Sequence, residues 1–159
     1  MKTNYLFPRK FRKIGWILFV PFACLGIAVL CDYSFDWNMR VLSLIGDSLA
    51  TPFGNTRFLH IIVNDVADEV AIIGTIVSLL FIAFSREKDE DECIGKIRGE
   101  SLVWAVIVHN IVVIVATLFI YDTMYFVFLS VNLVIGLLLF IIKYNFALHT
   151  FRKSIDNAE

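Results

Sequence analysis

The chain has 159 residues, of which 58% are hydrophobic, and its formal net charge is −1. Its mean hydropathy of +0.76 and its 15 phenylalanines exclude an ordinary soluble domain, which would leave too much apolar surface in water. The charges are clustered, and no region is basic enough for nucleic-acid binding. Residues 1–159 are therefore predicted to form a single membrane domain.

Four apolar segments are long enough to be transmembrane helices, because a helix needs about 20 apolar residues to cross a bilayer core. None of them alternates with period two, and a backbone in lipid has to satisfy its hydrogen bonds internally. The predicted fold class is thus an all-α polytopic membrane protein with four helices. The predicted spans are residues 14–31, 66–84, 102–121 and 124–142.

The outer segment, residues 32–65, is predicted to contain short helical pieces. Apolar residues within 41–45 lie close enough for a short helix on the membrane surface. Residues 51–55 have the composition of a turn. From Phe58 onward the pattern favours a helix that continues into the second span.

Polar residues around the start of the second span allow two interpretations. His60, Asn64 and Asp68 follow at four-residue steps, so a helix would place them on one face, with Asp65 and Glu69 on the adjacent face. The functional interpretation is a cation or proton site that opens outward, formed by His60, Asn64, Asp68 and Glu69. The structural interpretation is solvation at the interface, pairing with an outer arginine, or stabilisation beside a helix N-terminus. A single histidine argues against zinc.

Residues 85–100 hold ten charges in sixteen positions and therefore lie in water between two spans. We expect a short amphipathic helix, broken near Gly95 or Gly99, with Glu92 and Lys96 spaced to pair along it. The segment is either a solvated face or a docking surface for a cytosolic protein. The candidate docking residues are Arg86, Lys88, Glu90, Asp91, Glu92 and Arg98.

The sequence contains no recognisable catalytic or metal-binding motif. The consecutive carboxylates of the charged loop point in several directions, and there is no phosphate-binding glycine loop, nucleophile–base arrangement or paired metal motif. We therefore expect a protein that is not an enzyme and that uses no cofactor.

The distribution of basic residues predicts the orientation. Twelve of the fourteen Lys and Arg residues lie in the head, the 85–100 loop or the tail, and the outer segment holds the other two. Because cytoplasmic loops carry an excess of Lys and Arg, both termini and the charged loop are predicted to be cytoplasmic.

The third and fourth spans contain the intramembrane polar residues His109, Asn110 and Asn132. A polar side chain in lipid seeks a partner on a neighbouring helix, so contacts between the two spans are one interpretation, with Gly136 allowing close approach. The other interpretation is a polar path for ions or protons that includes His109.

The stretch from Asn64 to Asn110 also carries a resemblance. Its most specific part is the Ser-Arg-Glu-Lys run that begins at Ser85, and the stretch from Ser101 to Val106 adds to it. The chain resembles a group of small bacterial inner-membrane proteins without assigned activity, often encoded beside a helix-turn-helix regulator. This resemblance implies a bacterial inner-membrane location and a signalling partnership, and it supplies no catalytic residues.

Together these patterns favour a non-enzymatic membrane sensor or scaffold whose charged loop docks a cytosolic regulatory protein. The alternative is a small transporter or oligomeric pore that uses the polar residues of spans three and four. The expected partners are the lipid bilayer, a cytosolic protein and further copies of the chain.

Overall fold

The computed structural model describes residues 6–31, 33, 35–46, 57–88 and 91–156. In this part of the chain four helices accompany a two-stranded sheet. The elements are α1 (Lys10–Leu30), β1 (Asn38–Gly46), β2 (Arg57–Asp65), α2 (Ala67–Ala83), α3 (Glu92–Phe119) and α4 (Thr123–Asp156).

Three of these helices, α1, α3 and α4, are long and apolar enough to span a membrane. Many of their large apolar side chains are exposed, as expected for surfaces that face lipid. Helix α2 has 17 residues, about 25 Å of helix, against a bilayer core of about 30 Å. The chain is thus a mostly helical membrane protein.

Helix α2 lies at the centre of the bundle. It packs against α1 on one side and α4 on the other, while α4 also packs against α3. Small buried residues such as Ala71 and Ser78 allow neighbouring backbones to approach closely. Gly74 is needed for the same reason, because a Cβ there would overlap the ring of Phe22 on α1.

The main apolar core lies where α2, α3 and α4 meet. Phe140 of α4 is 1% exposed and stacks on Tyr144. Around them lie buried residues of all three helices, namely Leu79, Ile82, Ala83, Ile94, Ala105, Ile141 and Leu148. This core is close to the end of the bundle formed by residues 6–13, 84–88 and 143–156, which we call the terminal end.

The outer segment corrects the prediction of an all-α fold. Residues predicted as helical pieces form an antiparallel hairpin in which Val41 pairs with Ile62 and Asn38 with Asp65. The run from Ile61 to Val63 is β-branched, and such side chains lose rotamer freedom in a helix but pack well on a strand. The turn predicted at 51–55 lies outside the described residues.

The start of α2 also differs from the prediction of a helix running from Phe58. Asp65 Oδ1 accepts a hydrogen bond of 3.1 Å from the backbone N–H of Ala67, so the helix begins only after the hairpin ends. The side chain satisfies one of the backbone donors that a helix start leaves unpaired.

Helix α3 begins within the charged loop and passes through both glycines that were expected to break it. Asp91 caps it by accepting a hydrogen bond of 2.8 Å from the N–H of Ile94. Its buried residues include Ile94, Arg98 and Ser101, spaced to form one stripe along the helix. This packed stripe outweighs the low helix propensity of Gly95 and Gly99.

A test of the α1–α2 packing compares two glycines of α1. A Cβ on Gly15 would lie 2.9 Å from the carbonyl oxygen of Ser78, whereas one on Gly26 would be 4.0 Å from Ala71. Gly15→Ala should destabilise the protein by about 1–3 kcal/mol through overpacking. Thermal unfolding in detergent should show a lower melting temperature for Gly15→Ala than for the control Gly26→Ala. Equal melting temperatures would contradict this packing.

Candidate binding site at the terminal end

The terminal end contains a cavity of about 490 Å³ with a strongly basic lining. Among the residues that the structure describes, six of the lining side chains are cationic and one is a carboxylate, so the cavity favours an anionic occupant. The lining residues are Arg9, Arg12, Lys13, Trp16, Arg86, Glu87, Lys88 and Arg152.

Three segments that are distant in sequence build this cavity, and backbone pairing fixes two of them. The N–H of Phe7 donates to the carbonyl of Phe84 at 2.9 Å, and the N–H of Arg86 donates to the carbonyl of Phe7 at 3.0 Å. The rings of Phe7 and Phe11 pack against Phe81. The chain before α1 is thereby held against the link between α2 and α3.

The buried carboxylate of Glu87 joins the third segment to the other two. Its side chain is 7% exposed, and it accepts hydrogen bonds from Arg12 and, at 3.2 Å, from Arg152 of α4. Arg12 also donates to Asn145 Oδ1 at 3.1 Å. One acidic side chain therefore links α1, the α2–α3 link and α4.

Glu87 and Arg12 were not among the candidate docking residues. Glu87 is a single acidic residue between Arg86 and Lys88, directly after a predicted span. Basic residues of the head and tail are predicted on the same side of the membrane, so this pattern could have indicated an ion pair with one of them. Their direct contact depends on the helix packing, which the one-dimensional pattern does not give.

The predicted docking residues do not all lie at one surface. Arg86 and Lys88 line the cavity. Asp91 and Glu92 are exposed at the start of α3, and Glu90 lies outside the described residues.

The expectation that Arg98 is available for docking is wrong. Its side chain is buried, donates to the Tyr144 hydroxyl at 3.0 Å and lies 5.1 Å from the centre of that ring. Its place on the buried stripe of α3 explains this. Lys96, which was expected to pair with Glu92, forms an exposed ion pair with Glu100 at 3.9 Å.

The outer polar residues do not form the predicted helical face. His60 and Asn64 belong to strand β2, whereas Asp68 and Glu69 lie in the first turn of α2. Asn64 Nδ2 donates to Glu69 Oε1 at 3.1 Å, and the His60 side chain lies outside what the structure describes. Among the described residues, no three His, Cys, Asp or Glu side chains converge as metal ligands.

The three intramembrane polar residues do not share one site, because Asn110 lies apart from His109 and Asn132. Asn110 is exposed and donates to the carbonyl of Val106 in its own helix at 2.8 Å, contrary to the expected contact with a neighbouring helix. His109 packs against Gly136 of α4, and both line a second cavity together with Asn132.

No protein-family model, curated protein or solved structure matches the chain.

The arrangement at Glu87 predicts a large effect of removing its charge. Glu87→Gln leaves two partly exposed arginines around a neutral side chain, and we expect a loss of about 1–3 kcal/mol in unfolding free energy. Glu100→Gln is the control, because its pair with Lys96 is exposed and worth at most about 1 kcal/mol. Denaturant unfolding in detergent would measure both. Similar small losses would mean that Glu87 does not hold the three segments together.

Proposed function

We propose that the chain is a non-enzymatic integral membrane protein, a sensor or scaffold, whose terminal end docks an acidic segment of a cytosolic protein. The observation that carries this proposal is the basic cavity of about 490 Å³ at the terminal end. The preformed cavity would supply charge complementarity, which favours both specificity and rapid association.

Several cations of the cavity are available to such a partner. Arg12 and Arg152 already bind Glu87. Arg9, Lys13 and Lys88 form no ion pair with any residue that the structure describes. These three exposed side chains therefore provide the attraction, while the ion pairs of the buried Glu87 carboxylate hold the cavity wall in place.

The position of the cavity favours a protein over a lipid headgroup. If Lys143 marks the membrane boundary, Arg152 stands nine residues, or about 14 Å, beyond it along α4. The headgroup layer adds only about 5–8 Å on each side of the hydrocarbon. Part of the cavity wall would then extend into the cytosol.

The proposed topology has four spans: α1, α3, α4 and also α2, although α2 has only 17 residues. The excess of basic residues at the terminal end supports a cytoplasmic position for this end. A bacterial inner membrane and a cytosolic regulator as partner are proposed from the family resemblance. The transport alternative has less support, because the cavity between α3 and α4 is lined mainly by apolar groups.

The docking proposal can be tested with a fluorescent octaglutamate peptide and the protein in phosphatidylcholine nanodiscs. We expect salt-sensitive binding that weakens by up to about 1 kcal/mol, or about fivefold, per cavity charge removed. The test variant is Arg9→Gln/Lys13→Gln/Lys88→Gln, and fluorescence anisotropy measures the dissociation constant.

The matched control removes the same number of charges outside the cavity, in Lys10→Gln/Lys96→Gln/Lys153→Gln. We expect a much smaller loss of affinity in this variant. Equal weakening in the two triple variants would show that net charge alone attracts the peptide, and it would contradict a specific docking cavity.

The proposed topology can be tested with the protein's own thiols. Cys31 follows α1 at the end opposite the terminal end, and Cys93 lies at the start of α3; both are exposed and free. In a Cys24→Ser background, a membrane-impermeant maleimide added to intact cells should label Cys31 and leave Cys93 unlabelled until the membrane is opened. The reverse pattern would invert the topology.

A further inference from the structure

A second cavity, of about 300 Å³, lies between α3 and α4 and is independent of the basic cavity. Its walls are mostly apolar, and its deep part includes Ala105 and Phe140, which are 2% and 1% exposed. An apolar cavity with a few polar groups is typical of small-molecule sites. We call it the α3–α4 groove.

Two polar atoms at this groove are buried without a hydrogen-bond partner. They are Nδ1 of His109 and Oδ1 of Asn132, and neither has a partner among the residues that the structure describes. A buried polar group without a partner costs free energy in a protein and more so in a membrane. A bound molecule that hydrogen-bonds to them would remove this cost.

Gly136 shapes the groove by admitting the histidine ring. A Cβ at this position would lie 3.2 Å from His109 Nδ1, tighter than most side-chain contacts. Asn132 lies four residues earlier on the same helix, about one turn away, so it shares a face with Gly136. The two unsatisfied atoms therefore come from facing helices.

The groove opens toward the lipid. Leu102, Val106 and Leu133 line it and are 40%, 52% and 58% exposed, so its rim belongs to the apolar outer surface of the bundle. His109 lies five residues along α3 from Trp104, whose ring packs beside Lys143. That distance is about 8 Å, which places the groove in the half of the membrane nearer the terminal end.

We propose that the α3–α4 groove binds a lipid-soluble molecule that bears a hydroxyl group, such as a long-chain alcohol or a phenol, entering from the bilayer. A hydroxyl donates one hydrogen bond and accepts others. It can donate its one hydrogen to Asn132 Oδ1 and accept a hydrogen bond from Nδ1–H of His109, in the tautomer that carries the hydrogen on this nitrogen, while its hydrocarbon part fills the apolar walls. A charged head would be costly at this depth.

The proposal can be tested by NMR of the imidazole nitrogens in ¹⁵N-histidine-labelled protein in nanodiscs. The chain has three histidines, and the signal of His109 is identified by its loss in His109→Gln. We expect 1-decanol to shift this signal in a saturable way. Decyl methyl ether has a similar hydrocarbon chain but cannot donate to Asn132 Oδ1, so saturation of the shift should require a several-fold higher concentration of the ether.

Two variants complete the test. Asn132→Leu removes the acceptor and should raise the decanol concentration needed for saturation several-fold, whereas the control Asn110→Leu, which removes an exposed amide on α3, should leave it unchanged. No response to decanol, an equal response to the ether, or an unchanged response in Asn132→Leu would each overturn the proposal. The comparison of alcohol and ether uses the unaltered chain and stands if a variant fails to fold.

Discussion

The terminal end depends on one buried carboxylate. The dominant helix contacts run from α1 to α2, from α2 to α4 and from α4 to α3. Glu87 binds both Arg12 of α1 and Arg152 of α4, and thereby connects two helices that each pack against α2. Two positive charges around one carboxylate leave the site with a net positive field, which the remaining cations increase. The same interaction that holds the segments together thus makes this end attractive to anions.

Helix α4 is the element that the two proposed sites share. Its 34 residues extend over about 51 Å, well beyond a bilayer core of about 30 Å. Its first half provides Asn132 and Gly136 to the groove, its middle provides Phe140 to the core, and its last part provides Arg152 to the basic cavity. Because successive parts of α4 lie in different surroundings, this one helix contributes to the groove, to the apolar core and to the basic cavity.

The sequence predicts the helices more reliably than the sites. Long apolar runs locate α1, α3 and α4 because composition alone determines what can lie in hydrocarbon. The hairpin was missed because short apolar runs fit either periodicity, and pairing such as Val41 with Ile62 involves residues far apart in the chain. Arg98 was misjudged because its charge suggested exposure, while its spacing from Ile94 and Ser101 places it on the packed face. Neither cavity follows from a local motif, since each combines distant segments.

The pairing of Phe7 with Ser85, together with the ionic contacts of Glu87, has a consequence for biogenesis. Helix α1 emerges from the ribosome long before residue 85, and Arg152, which completes the cluster, follows Glu87 by 65 residues. Insertion of the separate helices can proceed during synthesis, but the contact with Glu87 cannot be completed before Arg152 has been made and has left the ribosome. A chain that is cut before Arg152 would therefore insert its helices without completing the closed arrangement of the terminal end.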